Sequence, residues 1–382
     1  MKATLLAGVK KENLTGILPD LELVPLDQPP DVIFVRSDKF DIPQSVFAIC
    51  RAGSGTDNID LARCNENGIV VFNASGANAN AVKEWVDWGI KTAARKMHLV
   101  LEFVQAHRDK SRDELEKERS NFVGAEIAGK SIGVVGVGEV GRLVITSCLD
   151  DGMKVYAYDL FSKDKNFRGA QKVASIEELA HCDFISFHCS LTEKTRGLVN
   201  EAFLHKMKPG FILINTVRHE LVDAQALAAA LEDCRVGMYV SDFHDPDLAS
   251  RFPDRVITTP HIGASTKEAE QNAQELVARR FASFWTTGTI DNSVNFETYR
   301  SNQRNGNCRF VIVNRNVPGM EHKIKGAIAE VGYNICRSHD ESPTDLPLGY
   351  NIIDIDNADE KVDEIVQKIS AIEGVKKVRV IR

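Results

Sequence analysis

Continuous apolar runs bounded by turn residues recur along the chain. In the first region they fall at DVIFVRS (31–37), VFAIC (46–50) and GIVVFN (68–73), with glycine-rich turns and short helical patterns between them. A long helical pattern then runs from about Asn80 into Gln105 and leads to HRDKSRDELEKERS, a charged stretch read as a solvated connection. From about residue 130 to 262 the rhythm becomes SIGVVGV, KVYAYDL, FISFHC, FILINTV, VGMYVSDF and VITTPH, separated by segments such as SIEELA and DAQALAAALEDC. Unbroken apolar strands alternating with helices predict a parallel sheet covered on both faces.

Ser265 with Glu268 has the spacing of a capping box and predicts a helix running to about Trp285. That helix returns the chain to the first region. Beyond residue 307 the strands CRFVIVN, YNICRS, GYNIIDID and VKKVRVI alternate with the helices PGMEHKIKGAIAEVG and ADEKVDEIVQKISAIEG, in the order βαββαβ. The predicted class is α/β with three parts. Residues 1–95, rejoined by 267–300, form a discontinuous flavodoxin-like domain; 96–266 form a doubly wound domain; and 307–382 form an independent ferredoxin-like domain.

A length of 382 residues suits that division, at roughly 100–200 residues per domain. The net charge of −7 comes without a long run of one sign, which argues against nucleic-acid binding. No stretch approaches the roughly 20 apolar residues of a membrane span, and the apolar run near Met1 is too short for a secretory signal. The eight cysteines contain no CxxC, so no metal site is expected; they read as reduced, mostly buried thiols of a cytoplasmic protein.

The first candidate chemistry is SIGVVGVGEVGRLV, which sets Gly136, Gly138 and Gly141 in GxGxxG spacing between a strand and a helix. Asp159 closes the next strand, 21 residues after Gly138. The glycines would allow a tight turn and close approach of a pyrophosphate to the helix start, with Asp159 accepting from the ribose hydroxyls. A carboxylate there repels a 2′-phosphate and favours NAD; Lys163 and Arg168 nearby work against that preference.

Three further polar signals follow predicted strands. INTVRHE carries Arg218, VSDFHDPDL carries Asp242, Asp245 and Asp247, and TTPHIGAST carries His261. Ligands of doubly wound sheets bind beyond the carboxyl ends of the strands. A histidine can take a hydroxyl proton during hydride transfer, a neighbouring acid can fix its tautomer, and an arginine can clamp a carboxylate.

At this point the chain resembles the NAD-dependent D-2-hydroxyacid dehydrogenases, within them the D-3-phosphoglycerate dehydrogenase branch, over nearly its whole length. RAGSGTDNID, FNASGANANAV, FVGAEIAGKSIGVVGVGEVG, HCSLTEKTRGLVN, MKPGFILINTVR and TTPHIGAST carry the resemblance. It implies Arg218 and His261 as catalytic residues with an acid between them. It also implies cofactor contacts from Glu139, Val140, Asp159, Thr216, Asp242 and the His261–Ala264 segment, including Gly263. Two departures stand out: His219 follows Arg218 where glycine is usual, and the acid block offers only aspartates. Alignment on Asp242 puts the acid at Asp247, whereas the acid–proline pair puts it at Asp245; a strand end shifts less readily than a loop, which favours Asp247.

The turn Gly53-Ser54-Gly55 beside Arg51 can form an anion nest for a carboxylate. Arg51 and Arg36 are the candidates for a phosphate, as the resemblance implies. In the tail, NRNVPGM and GYNI resemble the ACT domain, a regulatory module. The resemblance implies L-serine bound by Asn316 and Asn334, with Asn314 standing where histidine often sits. It also implies a homodimer or homotetramer. The expected activity is NAD-dependent oxidation of D-3-phosphoglycerate, with a glyoxylate- or hydroxypyruvate-reducing enzyme or an NADH-sensing binding protein as alternatives.

Overall fold

The computed structural model describes residues 1–161, 164–300, 304–341, 347–356 and 361–382. Its contacts divide the chain into two compact units, Met1–Ala77 with Glu270–Arg382, and Asn78–Ala269.

The first unit opens with β1 (Lys2–Leu5), α1 (Glu12–Thr15), β2 (Glu22–Leu23), β3 (Val32–Val35), β4 (Ala48–Arg51), α2 (Leu61–Asn67) and β5 (Val70–Asn73). The strands form a parallel sheet in the order β2-β1-β3-β4-β5, which is the flavodoxin-like arrangement. Val32, Ile33, Phe34 and Val35 are all buried, as expected of a central strand covered on both sides.

The second unit contains α3 (Ala79–Arg95), α4 (Met97–Ala106), α5 (Arg112–Lys117), β6 (Ser131–Val135), α6 (Gly141–Asp150), β7 (Lys154–Tyr158) and β8 (Gln171–Lys172). It continues with β9 (Phe184–Phe187), α7 (Glu201–Lys206), β10 (Phe211–Asn215), α8 (Ala224–Glu232), β11 (Val236–Ser241), α9 (Pro246–Arg251) and β12 (Val256–Thr258). Its sheet is parallel throughout, in the order β12-β11-β10-β9-β6-β7-β8, so the strand order reverses between β6 and β9. One face packs Val86, Ile90, Val144 and Ile145 on Ile132 and Val134. The other packs Leu204, Leu227 and Leu231 on Ile185, Phe187 and Leu213.

Several local expectations change. The long helix is broken at Lys96, whose φ of 54° is left-handed, and continues as α4. The charged stretch holds α5, opened by a full capping box between Ser111 and Glu114. SIEELA is a tight 3₁₀ segment rather than an α-helix. The contact boundary at residue 77/78 places α3 in the second unit, where Val86 and Ile90 belong to its core.

The chain leaves the second unit on α10 (Lys267–Thr287). The cap is one residue later than the expected Ser265: Thr266 Oγ1 accepts the Ala269 N–H at 3.1 Å. Then come β13 (Cys308–Arg315), α11 (Met320–Val331), β14 (Ile335–Glu341), β15 (Leu348–Ile355), α12 (Val362–Ser370) and β16 (Val375–Ile381). The antiparallel order β14-β15-β13-β16 is ferredoxin-like.

This small sheet does not stand apart as its rhythm suggested. Phe310, Ile312, Ile353 and Ile355 pack beneath the helix residues Ile324, Ile328, Ile365 and Ile369. The opposite face, with Val311, Val313, Tyr350 and Ile352, joins the core that holds Phe284, Ile290 and Phe296. Carbonyls at the end of α10 and just beyond it are met by donors from the same sheet. Arg309 Nη1 donates to Thr287 O at 2.7 Å, Arg379 Nη2 to Phe284 O at 2.6 Å, Arg379 Nη1 to Trp285 O, and Tyr350 Oη to Gly288 O. Arg309 is itself paired two-pronged with Asp354, at 2.6 and 2.8 Å, and both side chains are almost wholly buried.

Candidate functional site

The glycine turn follows β6 and leads into α6. Gly136 has φ 94°, open to glycine at no steric cost, and its N–H donates to Tyr158 O at 2.9 Å. A β-carbon on Gly141 would stand 1.9 Å from Gly136 O, so the helix lies directly on the turn. A β-carbon on Gly138 would meet nothing within 4 Å. The three positions therefore divide as a dinucleotide loop requires: turn, open approach and close packing. Asp159, just past β7, anchors the loop: its Oδ2 accepts the Val137 N–H at 2.6 Å and its Oδ1 the Phe161 N–H at 2.8 Å. A carboxylate oxygen has two acceptor sites, so ribose hydroxyls can still be received there. Glu139 pairs with Arg142, three residues on, and Val140 precedes the first turn of α6. These features fit a pyrophosphate and ribose of NAD. Arg168 is exposed near this edge, and Lys163 lies outside the described residues.

Beyond the reversal point stands His188, a residue the sequence reading passed over. Its Nε2 shares a proton with Ser186 Oγ at 2.8 Å and its Nδ1 with Thr216 Oγ1 at 3.3 Å. Burial pushes the imidazole down to about 3, so the ring is neutral. Thr216 also donates to Phe187 O at 3.3 Å. The signal was present: FISFHC ends a strand at the switch point, just as VITTPH ends one.

The strands β10, β11 and β12 end in register, with Asn215 beside Ser241 and Ser241 beside Thr258. Arg218 leaves the first end in an extended conformation, half-buried, with Nη1 donating to Val217 O at 2.7 Å. Asn215 braces that turn by giving its Nδ2 hydrogen to Arg218 O and taking the Val217 N–H, both at 2.9 Å. After the second end, Asp242 is 3% exposed and organises the third. Its Oδ1 accepts from Thr259 Oγ1 at 2.6 Å and Ile262 N at 2.8 Å, its Oδ2 from Gly263 N at 2.7 Å, and its backbone carbonyl from His261 N at 2.8 Å. A β-carbon on Gly263 would stand 2.7 Å from Asp242 Oδ2, so the carboxylate would have to shift to admit one. Ala264 follows, its carbonyl accepting the Thr266 N–H at 3.1 Å.

His261 is exposed and holds φ 60°, a conformation uncommon outside glycine but more accessible to histidine than to most residues. Its ring lies 4.7 Å from that of Phe243, and the Arg218 guanidinium carbon lies 6.0 Å from the same phenyl centroid. Phe243 is thus the shared neighbour of the imidazole and the guanidinium, and it too went unread in the sequence. Asp245 caps α9, its Oδ1 accepting the Leu248 N–H at 3.0 Å, whereas Asp247 is exposed in the first turn of that helix.

In the first unit, Arg51 ends β4 and its guanidinium lies over the following turn. A β-carbon on Gly53 would fall 1.5 Å from Arg51 Nη1. The Gly53 N–H donates to Arg51 O at 2.9 Å, Asn73 Nδ2 donates to Ser54 O at 2.7 Å, and Gly55 completes the turn. Gly53 therefore shapes the turn and spends its own N–H inside it. Arg36 is paired with Glu270 at 2.7 Å. In the ferredoxin-like part, the half-buried Asn316 donates its N–H to Pro347 O at 2.9 Å, and Asn334 is exposed ahead of β14. The buried Asn314 accepts from Asn351 Nδ2 at 2.6 Å.

Among the described residues there is no helix long and apolar enough to cross a membrane, and no cluster of three His, Cys, Asp or Glu suited to a metal ion.

Comparison with known proteins places this geometry in context. Residues 92–263 match the family model described as D-isomer specific 2-hydroxyacid dehydrogenase, NAD binding domain. The chain is 32% identical to a D-3-phosphoglycerate dehydrogenase of Haemophilus influenzae, over 86% of this chain and 79% of that one. It is 34% identical to a hydroxypyruvate reductase of Thermotoga maritima, over 72% of this chain and 88% of that one. Among solved structures it resembles NAD⁺-bound 3-phosphoglycerate dehydrogenase of Entamoeba histolytica, with a TM-score of 0.64, 29% identity, and coverage of 78% and 99%.

Proposed function

The chain belongs to the D-isomer specific 2-hydroxyacid dehydrogenase family, and from that premise we propose that it oxidises D-3-phosphoglycerate to 3-phosphohydroxypyruvate with NAD, the first step of L-serine biosynthesis, in the cytoplasm. The observation that carries the reading is the in-register ending of β10, β11 and β12, beyond which Arg218 and His261 both lie against Phe243. NAD, held by the Gly136–Gly141 turn and Asp159, supplies the hydride acceptor. His261 takes the proton of the substrate hydroxyl. Arg218 binds the carboxylate bidentately and stabilises negative charge on the reacting oxygen. Asp247 serves as the acid that favours the protonated imidazole, with Asp245 as the alternative. Neutral His188 braces Thr216 through its Nδ1. Arg51, Arg36 and the Gly53–Gly55 turn take the anionic groups of the substrate.

A second reading, reduction of an unphosphorylated acid such as hydroxypyruvate, is favoured by one observation: Arg36 is already paired with Glu270. Initial rates followed by NADH absorbance with D-3-phosphoglycerate and with D-glycerate separate the two. A preference for the unphosphorylated acid rejects the first reading.

We assign residues 307–382 to an ACT regulatory module, with Asn316 and Asn334 receiving L-serine. We also infer a homodimer or homotetramer. The arm from α4 to residue 123 supports that inference, because it exposes Met97, Leu101, Val104 and Val123 at 39, 61, 43 and 71%, more apolar surface than an isolated arm needs.

A further inference from the structure

We propose that Trp85 and Thr259 are positioning residues for the proton-transfer histidine, an indole-to-hydroxyl-to-carboxylate chain that fixes the loop carrying His261. The kinetic part of this proposal rests on His261 being the base.

Trp85 lies on α3, 8% exposed, and its Nε1–H donates to Thr259 Oγ1 at 3.1 Å. Thr259 in turn donates to Asp242 Oδ1 at 2.6 Å. The direction of this chain follows from its ends. An indole N–H can only donate, and a threonine hydroxyl has a single proton. With the indole occupying a lone pair of Thr259, the hydroxyl proton is left to point at the carboxylate. Asp242 then uses its remaining acceptor sites on the Ile262 and Gly263 amides, and its carbonyl on the His261 amide.

Two further observations make this a device for the loop and not only a satisfied buried tryptophan. His261 stands at φ 60°, so its backbone needs outside support to stay where it is. And Gly263 is enclosed by both partners: a β-carbon there would lie 2.7 Å from Asp242 Oδ2 and 3.7 Å from Trp85 Cγ. The indole therefore bonds the strand end by its N–H and lines the space beside Gly263 as well. Loss of the N–H alone would free Thr259 to rotate, leave Asp242 Oδ1 with one donor, and loosen Ile262 and Gly263.

The test uses Trp85→Phe, which keeps an aromatic ring and removes the N–H, and Thr259→Val, which removes the hydroxyl. In the full-length protein without substrate, amide hydrogen exchange at Ile262 and Gly263 should quicken about tenfold in either variant. With NAD and D-3-phosphoglycerate, kcat should fall about tenfold while KM for the acid stays within about twofold, since a misplaced base slows chemistry more than binding. Thr259→Ser should restore both. Combining Trp85→Phe with Thr259→Val should cost no more than either alone, because both break the same chain. Unchanged exchange in both single variants, or fully additive losses in the pair, overturns the proposal. A parent chain that oxidises no 2-hydroxy acid sinks the functional reading instead, and the exchange measurement still decides whether Trp85 and Thr259 hold the loop.

Discussion

Gly141 faces the carbonyl oxygen of Gly136 so closely that a β-carbon on it would intrude to 1.9 Å, while Gly138 between them faces open space. Similar glycines thus have opposite jobs. Gly141→Ala should lower the melting temperature of the protein, because backbone must move to admit the methyl group. Gly138→Ala should melt normally and lose about tenfold or more in NADH affinity by fluorescence titration, since the methyl group occupies the approach to the pyrophosphate. Normal NADH binding by the Gly138 variant would remove the phosphate cradle from this turn.

His261→Asn is the informative substitution for the proposed base, because asparagine tolerates the left-handed backbone that alanine resists. Turnover should fall by about 10²–10⁴, the usual worth of a general base, with NADH affinity unchanged. Retained turnover would reject proton transfer by this ring.

His188 makes a prediction about acid stability. Its folded value of about 3 lies below its ordinary 6.5, so between those limits the unfolded chain binds a proton that the folded chain refuses. Above about pH 6.5 neither state carries it and the site costs nothing. As pH falls through that window, stability drops by up to about 1.4 kcal/mol per pH unit for this one group. His188→Asn should flatten the fall of urea midpoint from pH 6.5 towards 3 and run parallel to the parent at higher pH. Identical slopes in the acid window would contradict a neutral His188.

Glu270→Gln tests the phosphate role of Arg36. With the carboxylate neutralised, Arg36 no longer has an ion pair to give up, so KM for D-3-phosphoglycerate should drop several-fold while KM for D-glycerate stays put. Equal changes for both acids would take Arg36 out of phosphate recognition.

Asp354→Ala leaves Arg309 charged and enclosed, and deprives the Asn305 N–H of its acceptor. Removing one member of such a pair costs about 3–5 kcal/mol. The variant should melt markedly lower, with the loss located in the C-terminal segment by limited proteolysis.

Much of this was written in the chain's periodicity. Unbroken apolar runs identified β6, β7, β9, β10, β11 and β12, and the glycine spacing located the turn between β6 and α6, because burial on two faces and a tight turn each leave a local signature. What stayed hidden depends on partners distant in sequence. Trp85 reads as one more apolar residue of a helix face; its bond to Thr259, 174 residues away, has no local trace. Phe243 sat unread beside Asp242 for the same reason. Lys96 broke a helix through a backbone angle that no apolar spacing encodes. The double-sided burial of β13 and β15 left a trace in the near-continuous apolarity of CRFVIVN and GYNIIDID, which our reading of the tail as independent passed over.

That sheet gives the tail an unusual standing. Trimming the chain after residue 300 would strip α10 of the donors that end it and bare a wall of phenylalanine, tyrosine and isoleucine. The shortened protein should precipitate, not emerge as a freer enzyme. For this chain the tail is masonry: it closes a wall that the rest of its unit leaves open.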